Sequence, residues 1–161
     1  MQSLICVFLL LAVVPVFSRE RVAPLSAQVE SPSADQPSSA LSEGAAENLL
    51  SQLSEGIVGQ DRAKILGLFD RERMPDYSDF AEQIGLMLDR YDSFRVRYRF
   101  LQLADEAAAH AAIVDFTLEA IPASENQLPV RGSAQLRFSF SRGNEGWKIS
   151  DIQPREFFTQ F

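Results

Sequence analysis

Cysteine and histidine each occur once, as Cys6 and His110. A single thiol, set inside an apolar run, excludes an internal disulfide, a zinc site built on cysteines and a paired redox thiol. One histidine cannot form a histidine cluster for a metal, although it can still make a single His–carboxylate pair. The chain lacks a glycine-rich phosphate loop, a nucleophile elbow and zinc-ligand spacing, and it has no internal repeat. Asp70, Glu72, Asp76 and Asp79 form an acidic group interrupted by Arg71 and Arg73. It has neither the alternating oxygen ligands nor the central glycine of a calcium loop. No metal and no cofactor is therefore expected. Positive charge is also in deficit, with 15 bases against 22 acids and a net charge of -7. The chain as a whole repels nucleic acid, so no nucleic-acid partner is expected and any polyanion site must be a local patch.

What is present divides into three stretches. An apolar run from Leu4 to Phe17, with Pro15 near its end and Val16-Phe17-Ser18 after it, opens the chain. It is shorter than the roughly 20 residues of a membrane span and suits a signal peptide over residues 1–18, cleaved after Ser18. That implies an exported protein, periplasmic or secreted, with no membrane span left after cleavage; an uncleaved N-terminal anchor is the alternative. Residues 19–44 carry Pro24, Pro32, Pro37 and dense serine without apolar periodicity, the pattern of a disordered linker. Residues 45–161 are long enough for one domain with a real core.

Within that domain, Leu49, Leu50, Leu53, Ile57 and Val58 recur at helical spacing from Ala45 onward. Gly59 closes this helix, and Asp61 caps a short second one carrying Ile65, Leu66, Leu68 and Phe69. After Met74-Pro75-Asp76, a third helix is predicted from Ser78 or Asp79, with Asp79 and Glu82 at capping-box spacing. Its apolar face is Phe80, Ile84, Met87, Leu88 and Tyr91. The period then switches from 3.6 to 2. Strands are expected at 93–103, from a turn at Asp105-Glu106 to Ile121, at 131–141 and at 147–152; the alanine-rich segment 107–110 is a helical alternative. Four sequential strands with short connections make an antiparallel meander whose apolar face needs the helices as cover.

The last hairpin, "GNEGWKISDIQPREFF", supplies Gly146-Trp147-Lys148-Ile149, Asp151-Ile152 and Phe157-Phe158. With helices first and a meander after, it resembles the nuclear transport factor 2-like superfamily (ketosteroid isomerase and SnoaL-like proteins among its members). The resemblance implies an α+β fold in which N-terminal helices pack in the concavity of a bent, four-stranded antiparallel sheet, a cone with a pocket at its open end. Many members insert a strand or hairpin between the second and third helices, for which residues 71–77 are too short. The superfamily includes isomerases, cyclases and dehydratases as well as non-enzymatic binding domains, so fold alone assigns no activity.

The resemblance also implies where acid–base residues would stand: a carboxylate or histidine base with a tyrosine or acid as oxyanion donor. Strand parity puts Tyr98 and His110 on the apolar side, and sets Trp147, Ile149 and Asp151 on one face of the last strand. His110 as base, Asp151 as its orienter and Tyr98 as donor form the catalytic alternative. In the other reading, Tyr98 and Trp147 are core aromatics, His110 is a polar residue at a strand end, and Asp151 pairs locally. Tyr77 and Asp76 either line the pocket mouth or serve helix entry.

The stretch "SFRVRYRF" alternates Arg95, Arg97 and Arg99 with aromatic and aliphatic residues. The following strand presents Asp115, Thr117 and Glu119 on its own polar side, which predicts a convex-face charge ladder across the pair. Arg131 and Arg137 extend that face and leave a residual positive strip. The function expected is a non-catalytic domain binding a small apolar molecule or a protein partner, as a monomer or weak homodimer. The alternative is a cofactor-free enzyme.

Overall fold

Ser42 starts the folded domain. Its side-chain oxygen accepts from the Ala45 N–H at 3.2 Å and caps α1, Glu43–Val58. The structure, a computed structural model, describes residues 40–106, 109–124 and 126–161. Helix α1 begins two residues ahead of the expected start, and Leu41 before it is buried, so the end of the expected linker belongs to the domain. The expected signal peptide and the rest of that linker lie outside the described residues.

Gly59 caps α1, its N–H donating to the Glu55 carbonyl at 2.8 Å, and Asp61 caps α2, Arg62–Gly67, by accepting from the Lys64 N–H at 2.9 Å. Phe69 lies past the end of α2, contrary to the sequence reading. It forms a parallel bridge with Ile149 at the sheet edge. Helix α3 is Tyr77–Arg90. The expected capping box at Asp79 is not used: Asp76 precedes the helix in the left-handed region (φ 53°) and makes no side-chain cap. Its carboxylate is drawn instead to Arg155 of the distant C-terminal segment. Tyr91, expected on α3, is buried as the first residue of β1.

The sheet comprises β1 Tyr91–Glu106, β2 Ala109–Pro122, β3 Val130–Gly143 and β4 Gly146–Gln153, antiparallel and in sequence order. Asp105 and Glu106 continue β1 rather than turning, and Ala109 and His110 begin β2 rather than a helix, because the two strands stay paired out to Glu106↔Ala109. Pairing slips by one residue at Leu101 in β1 and at Ser150 in β4. Such bulges bend a sheet and switch which face the following residues occupy. Arg155–Gln160 form a 3-10 helix after β4.

The helices cover the concave side of the sheet. Leu50, Leu53, Ile57, Ile65, Ile84 and Met87 meet Val114, Phe116, Leu118, Leu136, Phe138 and Ile149, all at 1% exposure or less. Burial of such side chains stabilises by about 1.5–3 kcal/mol each relative to exposure. This is the α+β arrangement expected from the sequence.

Candidate functional site

The interior of the cone is where a pocket is expected, and phenylalanines fill it. Phe69 and Phe80 pack with rings tilted by 53° and centroids 4.6 Å apart, and Phe116 packs on Phe138 at 6.2 Å. The C-terminal 3-10 helix then drops Phe157 and Phe158 onto Phe116, at 5.7 and 6.4 Å, and Phe158 also meets Phe80 at 6.0 Å. Phe161 closes the cluster against Phe157. Gly132 on β3 permits the approach, since a Cβ there would lie 2.5 Å from Gln160 Nε2 and 2.9 Å from the Phe161 ring. Among the described residues, no polar or charged side chain is buried.

The three residues grouped in the catalytic alternative are separated. Tyr98 pairs with Phe116 on the concave side, half-buried. His110 stands six residues before Phe116 on β2, about 20 Å along the strand at 3.3 Å per residue. Its ring packs edge-to-face on Trp147 at 4.8 Å, and the Arg142 guanidinium lies over the same indole at 5.9 Å. Asp151 is on the other face. The sequence reading placed it with Trp147 and Ile149; the Ser150 bulge reverses the parity, so Ile149 pairs with Phe140 and Asp151 with Ser139. Tyr77 donates its hydroxyl to the Leu66 carbonyl at 3.3 Å and carries Arg71 over its ring, which ties the entry of α3 to α2.

Asp151 instead belongs to a cluster that sequence spacing did not indicate. It accepts from the Ile152 N–H at 2.9 Å, from Gln153 Nε2 at 3.0 Å and from Arg155 Nε at 3.0 Å. Arg155 also donates through Nη1 to Asp76 at 3.1 Å. Asp151, and then Asp76, raise the guanidinium's pKa above its already high value. This bridge ties the C-terminal segment to the entry of α3. Beside it is a recess of about 180 Å³ with Met74, Phe80, Ile152 and Phe158 as its apolar wall and Asp76, Asp79, Gln83 and Arg155 at its rim. Two of its members are named from the sequence with other partners: Asp151 beside His110, and Asp76, after Pro75, either at a pocket mouth or at helix entry. Arg155 and Phe158 lie more than 70 positions from Asp76 and gave no local cue.

On the convex face the charge ladder is present. Arg95 pairs with Glu119 at 3.4 Å, and Arg99 Nε donates to Asp115 at 3.2 Å. The Arg99 hydrogen bond lowers the Asp115 pKa from its usual value. Thr117 and Ser133 hydroxyls join at 2.9 Å in the row between these pairs. At the β4 edge, Ser141 donates to Asp70 at 2.6 Å and lowers that carboxyl's pKa.

The chain is similar to solved structures that share this arrangement. A conserved protein from Planctomyces limnophilus superposes with a TM-score of 0.59 at 13% identity, over 68% of this chain and 91% of that one. A candidate dehydratase of the NTF2-like family from Streptomyces avermitilis gives 0.51 at 9% identity, over 66% and 90%. The fold is nuclear transport factor 2-like. ActVI-ORFA from Streptomyces coelicolor is a further NTF2-like neighbour, with a TM-score of 0.54 at 13% identity over 66% of this chain and 88% of that one. No protein-family model matches the sequence, and no curated protein matches it either. Where a pocket is expected of an NTF2-like fold, the described residues set Phe69, Phe80, Phe116 and Phe138 with the C-terminal Phe157 and Phe158 packed on them.

Proposed function

We propose that this chain carries a non-catalytic NTF2-like domain that binds a protein partner and is exported under the direction of residues 1–18. One observation carries the first part: the concavity is packed with phenylalanine, and no described polar side chain is buried in it. Acid–base catalysis needs two or more convergent polar groups within reach of one substrate. Here His110 on β2 stands six positions along the strand from Phe116, the partner of Tyr98 on β1, and Asp151 is committed to Arg155 on the opposite face. The likeness to a candidate dehydratase brings the fold and no activity.

A second reading, a binder of small apolar molecules, draws on the recess beside Arg155. Its volume of about 180 Å³ is below the roughly 300–1,000 Å³ of ordinary ligand sites. A thermal-unfolding screen of the chain against fatty acids, sterols and small aromatics separates the two. A ligand at a hundred times its Kd stabilises by about 2.7 kcal/mol and raises Tm on the order of 10 °C. The protein-binding reading expects no such shift, and a saturable shift from any of these compounds contradicts it. Export is tested by the mass of the chain processed in an export-competent host. A mature N-terminus at Arg19 supports it, and an intact Met1 in the membrane fraction supports an anchor instead.

A further inference from the structure

We propose that the free edge of β1, over Ser93–Phe100, accepts an extended segment of a partner protein as a fifth strand, and that this segment alternates acidic and apolar residues. The inference rests on the protein-binding reading and names the surface and the chemistry of the partner.

The first observation is topological. β1 is an outer strand, and among the described residues it pairs only with β2. The register is regular from Ser93↔Ile121 to Phe100↔Val114 and slips immediately on either side. The stretch between the two irregularities is therefore an even, eight-residue strip of backbone, whereas bulged edges turn away from pairing. The carbonyl of Asp92, just outside the strip, is occupied by Gln60 Nε2.

The second observation is the chemistry on the two sides of that strip. Arg95, Arg97 and Arg99 are exposed on the convex side. They repeat at about 6.8 Å, the spacing of alternate side chains on any neighbouring strand. Glu119 and Asp115 engage Arg95 and Arg99 from β2, while Arg97 has Thr117 opposite it. On the concave side Val96, Tyr98 and Phe100 are only half-buried, unlike Tyr91 and Phe94, which are covered. An incoming strand would set one parity of its side chains against the arginines and the other over this apolar rim. Acidic residues suit the first and apolar residues the second.

The same features disfavour a second copy as the occupant. Antiparallel pairing of β1 with its counterpart would oppose arginine rows of like charge, which is destabilising. Edge charges that block self-pairing in this way also leave the edge selective for opposite charge.

The test uses the full chain and a capped seven-residue peptide alternating glutamate and valine, followed by amide chemical shifts. The expected result is saturable shifts confined to residues 93–100 and their β2 neighbours, weakening as salt is raised. Arg97→Ala should weaken binding about two- to fivefold, the scale of one cross-strand pair, and Arg97→Lys should retain most of it. N-methylation of alternate peptide nitrogens should abolish binding, because only strand addition requires those donors. Equal binding of the N-methylated peptide, shifts centred on the helices, or no binding would overturn the proposal. So would tighter retention by a heparin fragment with the same Arg97 dependence, which would assign the face to a polyanionic glycan. If the peptide fails while the small-molecule screen is also flat, only the edge assignment falls; a positive screen removes the protein-binding reading itself.

Discussion

The two faces of one sheet follow opposite rules. On the concave face Val114, Phe116, Leu118, Leu136 and Phe138 are buried to 1% exposure or less in one apolar cluster with residues of the helices and the C-terminal segment. On the convex face Asp115 and Glu119 of β2 pair with Arg99 and Arg95 of the neighbouring β1 in half-exposed to exposed pairs, with Thr117 and Ser133 between them. Alternating side chains place the two sets on adjacent positions, so the contrast is built into every pair of residues. It teaches where stability resides. Interior packing supplies most of the stability, while exposed ion pairs contribute about 0–1 kcal/mol.

Substitutions on the two faces should therefore differ sharply in size. Phe116→Ala removes a ring held by Phe138, Phe157 and Phe158. Urea denaturation should show a loss of about 3–5 kcal/mol, and a loss below 1 kcal/mol would mean the interior is loosely packed. Gly132→Ala places a methyl against Gln160 and Phe161. It should destabilise by about 1–3 kcal/mol and speed proteolysis of the C-terminal segment, while the rest of the chain stays protected.

Ser141→Ala removes the hydroxyl that most lowers the Asp70 pKa, and should cost about 1–2 kcal/mol at neutral pH. A carboxyl with a depressed folded pKa stabilises above its unfolded pKa, near 4, and loses that contribution as pH falls through the folded value. The gap between wild type and Ser141→Ala should thus be steady near pH 7 and close below about pH 4; a gap that widens in acid would contradict this. Smallest of all, a double-mutant cycle on Arg99 and Asp115 should give a coupling of about 0.2–1 kcal/mol that shrinks with salt. A salt-independent coupling above 2 kcal/mol would erase the contrast between the faces.

Much of this was legible in the sequence because both periodicities are clean. "SFRVRYRF" reads directly as a strand with arginines on one side, and strict alternation in β2 and β3 puts Ala112, Val114, Phe116, Leu118, Leu136, Phe138 and Phe140 on one face, where the structure buries them to 4% or less. What was not legible depends on contacts remote in sequence or on single-residue irregularities. The Ser150 bulge moves Asp151 from the His110 side to the other face, and no local pattern marks it. Asp76 gives up capping α3 because Arg155 claims its carboxylate across the fold. Phe157, Phe158 and Phe161 are visibly apolar, but their entry into the cone follows from the approach that Gly132 allows. Sequence parity thus located the candidate residues on their strands, and tertiary packing decided which of them meet.

The most direct measurement is a crystal of the protein held under xenon pressure, beside one of the Phe158→Ala variant. Xenon enters dry apolar voids large enough to hold it. A filled cone predicts no xenon among Phe69, Phe80, Phe116 and Phe138 in the wild type and a new site where the Phe158 ring was removed. Xenon bound among those four rings in the wild-type protein would show an open pocket and contradict the account.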